Sequence, residues 1–171
     1  MAKNNQDKIV DNCCSCGCEQ SSPNRTLVEY LYLDLESCDR CIETSQVLEE
    51  VLQTLSPVLQ LTGHEVDYQK IKIETEELAK QYHFYSSPTI RVNGHDIFTV
   101  IKENSCNCCS EISGSEVNCR VFEYNEESFE VPPKEMLLES FLKGVFSETN
   151  DTCSRPEYQL PDNLKTFFAG K

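Results

Sequence analysis

The sequence predicts an α/β fold with a mixed central sheet. Apolar, strand-like runs alternate with helical segments in the first half of the chain, an order typical of parallel strands joined by helical crossovers. Short runs around an Asn-Gly pair follow in the second half and indicate antiparallel strands. A Cys-x-x-Cys pair, Cys38 and Cys41, stands where the first strand should pass into the first helix. These observations place both kinds of strand pairing in one domain.

The first four predicted elements form a strand–helix–strand–helix series. The apolar run Leu27–Leu33 predicts a buried strand. Behind the cysteine pair, apolar residues recur on one helical face as far as Pro57, which should end the helix or begin a turn closed by Gly63. The alternating segment Val66–Ile73 predicts a second strand. Thr75 is a suitable N-cap for a second helix.

The second half of the domain is predicted to be richer in antiparallel strands. Thr89–Val92 and His95–Val100 flank the Asn-Gly turn. Residues 102–118 break the pattern and are expected to form a cysteine-rich loop inserted into the domain. Cys119–Tyr124 and Ser128–Val131 then predict another hairpin.

The domain limits follow from composition. We expect a polar, cysteine-containing tail over residues 1–25, a domain over residues 26–146, and a polar C-terminal tail over residues 147–171. Within the domain, Pro132-Pro133 should begin the last helix, because proline is favoured at the first helical position.

The charge balance limits the partners. The 171-residue chain has a formal net charge of −14, which argues against binding nucleic acid or an anionic membrane. No stretch approaches the ~20 apolar residues that a membrane span needs, and no apolar segment of a signal peptide follows the first lysines. We therefore expect a cytoplasmic protein whose thiols are kept reduced.

The thioredoxin-type domains resemble this chain in several motifs. The resemblance rests on the strand–Cys38-x-x-Cys41–helix unit, the run Ser87-Pro88-Thr89-Ile90 and the last helix, and it covers about residues 26–146 without the insertion. It implies a thioredoxin-like, three-layer α/β/α fold in which Pro88 is cis and lies against the cysteine pair. More narrowly, the chain resembles a family of uncharacterised thioredoxin-like proteins with a cysteine-rich insertion.

The resemblance also implies roles for the cysteine pair. Cys38 would be the attacking thiolate, since it lies nearer the exposed N–H groups of the helix, and Cys41 would be the resolving thiol. Arg40 should lower the thiol pKa, and Asp39 should oppose it. The substrate would be a protein or small-molecule thiol or disulfide, and no cofactor is required. A purely structural pair is the alternative.

The other cysteines favour a different chemistry. Among eleven cysteines, Cys13-x-x-Cys16 and Cys106-x-x-Cys109 repeat the two-residue spacing and could together form a four-thiolate site for zinc or an iron–sulfur cluster. Further soft ligands are available for zinc or another thiophilic metal: Cys14, Cys18, Cys108 and Cys119. The alternative for the N-terminal group is a tail whose thiols form occasional disulfides.

Two functional hypotheses follow from the sequence. The first is a thiol–disulfide oxidoreductase that acts through the Cys38/Cys41 dithiol. The second is a protein that binds or senses a soft metal or metalloid with clustered cysteines on the same scaffold.

Overall fold

A four-stranded mixed sheet forms the centre of the fold in this computed structural model, which describes residues 24–147 and 157–171. Its strands are β1 (Asn24–Tyr32), β2 (His64–Lys72), β3 (Thr89–Val92) and β4 (His95–Asp96). They lie in the order β2-β1-β3-β4. β1 is parallel to β2 and antiparallel to β3, which is antiparallel to β4. The predicted mixed α/β class is confirmed.

Helices cover both faces of this sheet. The described residues form α1 (Asp39–Leu61), α2 (Glu76–Gln81), α3 (Asn107–Ser113), α4 (Lys134–Phe146) and α5 (Asp162–Ala169). Alternate residues of β1 serve two separate cores: Tyr30 packs with α1 and α4, whereas Leu31 packs with α2, α3 and α5. The three-layer arrangement follows from this alternation. None of the helices in the described residues is long and apolar enough to cross a membrane.

The cysteine-rich segment 102–118 is ordered into regular structure, which corrects the prediction of an irregular loop. Its first residues form β5 (Lys102–Ser105), and its centre forms α3. β5 pairs with β6 (Asn118–Tyr124), which pairs with β7 (Glu127–Phe129), so the insertion adds one strand to the following hairpin and completes a second, three-stranded sheet. All four residues of β5 are exposed, so the strand has no apolar alternation that sequence reasoning could detect.

Helix α1 runs through Pro57, so the prediction that this proline ends the helix or begins a turn is wrong. The last turn is retained because Leu59 is almost fully buried in the core beneath α1. Apolar burial of this size contributes about 1.5–3 kcal/mol, which offsets much of the cost of a proline inside a helix. Gly63, with a φ of +80°, then reverses the chain into β2.

Residues 162–169 form a helix that packs into the fold, although the sequence predicted a polar tail over residues 147–171. Leu164 and Phe167 of α5 are fully buried against the cysteine-rich segment. Gly170 lies so close to Ser113 that an added Cβ would stand 1.8 Å from its carbonyl oxygen. The sequence did not predict α5 because two buried residues among eight are too few to produce a recognisable helical periodicity, and their burial depends on a segment distant in sequence.

Strand β4 is shorter than the predicted strand His95–Val100, and Arg120 explains the difference. This fully buried side chain forms an ion pair with Asp96 at 2.7 Å and donates to the carbonyls of Phe98 and Val100. A guanidinium thus takes carbonyl groups that a continuing strand would have paired. Arg120 also fixes the second sheet against the central one.

Candidate functional site

The predicted dithiol lies at the start of α1. Cys38 is the N-cap residue of this helix, and its carbonyl accepts a 2.9 Å hydrogen bond from the Ile42 N–H. Cys41 lies in the first turn, and both side chains are 0% exposed. The strand-to-helix placement is therefore as predicted, but the pair is covered by other parts of the protein.

The insertion provides the cover and brings two more thiols to the same point. Cys106 is the N-cap residue of α3, and Cys109 lies in the first turn, so this pair repeats the placement of Cys38 and Cys41. The Cys109 Sγ is 3.8 Å from the Cys38 Sγ. The sulfur atoms of Cys38, Cys106 and Cys109 all lie within 4.8 Å of one another. We call these three residues the thiol triad.

Cys119 adjoins the triad from strand β6. Its Sγ is 3.3 Å from the Cys109 Sγ, and its side chain is fully buried. The backbone holds this arrangement, because the Cys106 N–H donates to the carbonyl of Val117 at 2.9 Å. The four thiols thus come from α1, α3 and β6, three elements that are tied to one another.

Cys41 also contacts a residue outside the cluster. Its Sγ lies 3.4 Å from the Ser87 hydroxyl, which also accepts a 3.2 Å hydrogen bond from the Leu33 N–H. The Ser87–Pro88 peptide bond is cis, as the resemblance implied. The Ser87 carbonyl accepts a 2.7 Å hydrogen bond from the Arg120 N–H. The backbone carbonyl next to Pro88 therefore already has a hydrogen-bond partner in β6.

The thiols of the cluster differ in acidity because they hydrogen-bond to one another. Hydrogen bonds from Cys106 and Cys109 hold the pKa of the Cys38 thiol well below its usual range. Hydrogen bonds from Cys109 and Cys119 lower the pKa of Cys106 to about 7. The same bonds raise the pKa of Cys109 and of Cys119, in each case chiefly through Cys106. Cys38 is therefore the thiolate that its neighbours stabilise.

Cys41 has the opposite tendency. Its hydrogen bond to Cys38, together with burial, raises the pKa of its thiol well above the usual value. The pKa values of the two members of the Cys-x-x-Cys pair are thus shifted in opposite directions, which favours the thiolate at Cys38 and the protonated thiol at Cys41.

Arg40 holds the insertion against α1 instead of acting mainly on Cys38. Its guanidinium donates to the carbonyls of Cys119 at 3.0 Å, Arg120 at 3.3 Å and Ser105 at 3.5 Å. It also pairs at 2.6 Å with Glu130, whose side chain is 60% exposed. Arg40 itself is only 6% exposed, and its Nε has no hydrogen-bond partner among the described residues. The lowered Cys38 pKa comes from neighbouring thiols.

The other predicted ligands are placed as follows. Cys108 lies on α3, half-buried. The N-terminal candidates lie outside the described residues, so a site that joins them to the insertion stays a prediction: Cys13, Cys14, Cys16 and Cys18. Sequence reasoning missed that Cys38 belongs with Cys106 and Cys109. The available signal was that two Cys-x-x-Cys pairs each begin a helix.

Buried thiols at these separations can do two things. They can share one soft metal ion, since thiolates are the preferred ligands of zinc and similar ions, or they can take part in thiol–disulfide exchange. All six cysteines of the described residues are free thiols in the structure.

Comparison with known proteins identifies a family but no activity. A family model described as a domain of unknown function, DUF2703, matches residues 26–141. An uncharacterised protein of Archaeoglobus fulgidus is 28% identical over 104 residues, which are 60% of this chain and 73% of that protein. No solved structure matches the chain. The matched segment contains the thiol triad, Cys41 and Cys119. Because the model matches more than half of its length, the chain belongs to the DUF2703 family.

Proposed function

We propose that this protein binds a thiophilic metal or metalloid ion at the thiol triad. The observation that carries the proposal is the convergence of three buried sulfur atoms within 4.8 Å of one another, from the N-termini of two helices. Thiolate sulfur selects soft ions over magnesium and calcium. The low pKa of Cys38 favours this chemistry, because a metal ligand must be deprotonated.

Burial favours ion binding over exchange with a protein substrate. Reactive cysteines of redox enzymes are partly exposed, whereas Cys38 and Cys41 are both 0% exposed. The Ser87 carbonyl, which an extended substrate could otherwise reach, accepts from the Arg120 N–H. A small ion needs much less room than a peptide to reach the sulfur atoms.

The residues around the triad have distinct parts in binding. Cys38 offers a thiolate that is present before the ion arrives, and Cys106 is close to ionisation at neutral pH. Cys109 must release its proton when the ion binds, since its pKa is raised. Arg40 fixes the strands that adjoin Cys106 and Cys119 through their backbone carbonyls.

Competition for zinc against a chromophoric chelator, under anaerobic conditions, tests the proposal. The starting protein is a six-cysteine variant of the 171-residue chain that carries Cys13→Ser, Cys14→Ser, Cys16→Ser, Cys18→Ser and Cys153→Ser and keeps the six cysteines of the described residues. Adding Cys38→Ser should weaken zinc binding by more than about 100-fold, because even residues that only support a metal ligand change affinity 10–100-fold.

Cys108→Ser is the matched control, because Cys108 lies on the same short helix as Cys109 without belonging to the triad. It should change zinc affinity less than about threefold, which is smaller than the change of about 10-fold or more caused by replacing a residue that supports a metal ligand. Equal zinc affinity of the six-cysteine variant and its Cys38→Ser derivative would refute the proposal.

A second candidate function is thiol–disulfide exchange with a small disulfide. The opposite pKa shifts of Cys38 and Cys41 favour it, since an attacking thiolate and a protonated resolving thiol are what the reaction needs. The Cys38 thiolate would attack one sulfur of the disulfide and release a thiolate. Cys41 would lose its proton, attack the mixed disulfide and release the second thiolate, which leaves a Cys38–Cys41 disulfide.

Mass spectrometry after reaction with oxidised glutathione tests this candidate. The reduced six-cysteine variant should gain a Cys38–Cys41 disulfide, and its Cys41→Ser derivative should stop at one glutathione on Cys38. An unmodified Cys38 in both proteins would exclude this function.

A further inference from the structure

We infer that Cys119 completes the thiol triad to a four-thiolate site, so that the bound ion is a tetrahedral divalent metal of the zinc class. This inference rests on the proposed function and specifies the ion and its coordination. Zinc and ions with similar geometry take four sulfur ligands in closed, tetrahedral sites.

The sulfur separations fit such a site. Four sulfur atoms arranged tetrahedrally at about 2.3 Å from a zinc ion lie about 3.8 Å from one another. The separation is 3.8 Å between Cys38 and Cys109 and 3.3 Å between Cys109 and Cys119. Cys106 lies within 4.8 Å of both Cys38 and Cys109. Cys119 lies outside the group of sulfur atoms that are mutually within 4.8 Å, so its side chain must turn further toward the triad before four sulfur atoms surround one ion.

Cys119 is also in direct contact with the triad through Cys109, at an Sγ–Sγ separation of 3.3 Å. Hydrogen bonds with Cys106, Cys109 and Cys38 are, in that order, the main causes of its raised pKa. The other two described cysteines are less suitable as a fourth ligand. The Cys41 thiol contacts the Ser87 hydroxyl, and Cys108 is half-buried on α3.

The backbone holds the four ligands as a closed site. Cys119 lies within the paired segment of β6, opposite Asn104 of β5, and Cys106 follows directly after β5. Arg40 connects this sheet to the first turn of α1 through the carbonyls of Cys119 and Ser105. All four ligand side chains are at most 3% exposed. A closed, four-coordinate arrangement of this kind is typical of structural zinc sites.

The charge of the site is partly balanced by groups of this chain. Four thiolates around a divalent ion have a net charge of −2, which is costly in a buried position without compensation. The guanidinium of Arg40 lies beside the site, and its Nε is buried without a hydrogen-bond partner among the described residues. The N-terminus of α1 adds a partial positive charge at Cys38.

Cobalt(II) titration of the six-cysteine variant under anaerobic conditions tests the inference. Bound cobalt should show the visible bands of tetrahedral geometry and a sulfur-to-metal charge-transfer band. The intensity of the charge-transfer band follows the number of thiolate ligands. Cys119→Ser should therefore lower this intensity by about a quarter, as one ligand of four is lost, whereas Cys108→Ser should leave it unchanged.

The possible outcomes separate this inference from the proposed function. Full charge-transfer intensity in the Cys119→Ser protein would overturn the inference and leave metal binding by the triad intact. The absence of any such band in the six-cysteine variant would overturn both. X-ray absorption spectroscopy of the zinc-loaded six-cysteine variant counts the sulfur ligands without a substitution at Cys119. Four sulfur atoms at about 2.3 Å support the inference, and three sulfur atoms contradict it.

Discussion

Replacement of Arg40 by methionine should destabilise the protein and weaken metal binding together. Methionine keeps most of the aliphatic volume of the side chain but removes the donors that reach the carbonyls of Cys119, Arg120 and Ser105. A hydrogen bond from a charged donor contributes about 1.5–3 kcal/mol. The contact with Glu130 adds at most about 1 kcal/mol, because that carboxylate is largely exposed.

The expected loss in the free energy of unfolding is about 3 kcal/mol. The two bonds of 3.0 and 3.3 Å set this value, since each leaves a buried carbonyl without its charged donor at a cost of about 1–3 kcal/mol. With a urea dependence of about 2 kcal/mol per molar, the unfolding midpoint should fall by about 1.5 M. The measurement is urea unfolding of the reduced six-cysteine variant with a chelator present, so that bound metal does not contribute.

Two matched variants show whether the effect belongs to this position. Arg25→Met makes the same change at an exposed site of β1 and should alter the stability by less than about 0.5 kcal/mol. Arg40→Lys keeps the charge but offers a compact ammonium in place of the planar fork, so it should recover only part of the loss. In the Arg40→Met protein, zinc affinity should fall about 10–100-fold, as is typical of residues that support metal ligands. A stability loss below about 0.5 kcal/mol with unchanged zinc affinity would refute the reasoning.

Three further predictions concern protons, oxidation and packing. Zinc affinity, measured by chelator competition at several pH values, should decrease as the pH falls through about 7, because protonation of the Cys106 thiolate then competes with the metal. An unchanged affinity across this range would contradict the assignment of Cys106 as a metal ligand. Diamide should oxidise Cys38 and Cys41 to a disulfide, be reduced itself to the corresponding hydrazine and release bound zinc, whereas the Cys41→Ser protein should retain the zinc; equal release from the two proteins would contradict the assignment of Cys38 to both the dithiol and the metal site. Phe167→Ala should lower the free energy of unfolding in urea by about 3–5 kcal/mol, and the same change at the less buried Phe168 should cost clearly less; equal costs would contradict the packing of α5.

The parts of the fold that sequence reasoning predicted well depend on local signals. Thr75 caps α2 through its side-chain oxygen, as expected, because capping involves residues only three positions apart. The alternation of apolar runs was sufficient to predict the central sheet. Pro57 shows the limit of a local rule, since the tertiary packing of Leu59 retains the last helical turn.

The candidate site was only half predictable, because its geometry depends on contacts between distant segments. Cys38 and Cys109 are 71 positions apart in sequence and 3.8 Å apart in space. Cys119 appeared isolated in the sequence and reaches the cluster only because β6 pairs with β5, a polar strand without an apolar pattern. Spacing alone predicted the chemistry of each Cys-x-x-Cys pair but not that the two pairs converge.

Anaerobic native mass spectrometry of the six-cysteine variant, supplied with one equivalent of zinc, tests the central claim most directly, because one spectrum reports both bound metal and disulfides. We predict one zinc ion per chain with all six cysteines reduced. The matched protein with Cys38→Ser, Cys106→Ser and Cys109→Ser should bind none. Equal zinc content in the two proteins would contradict a metal site at the thiol triad.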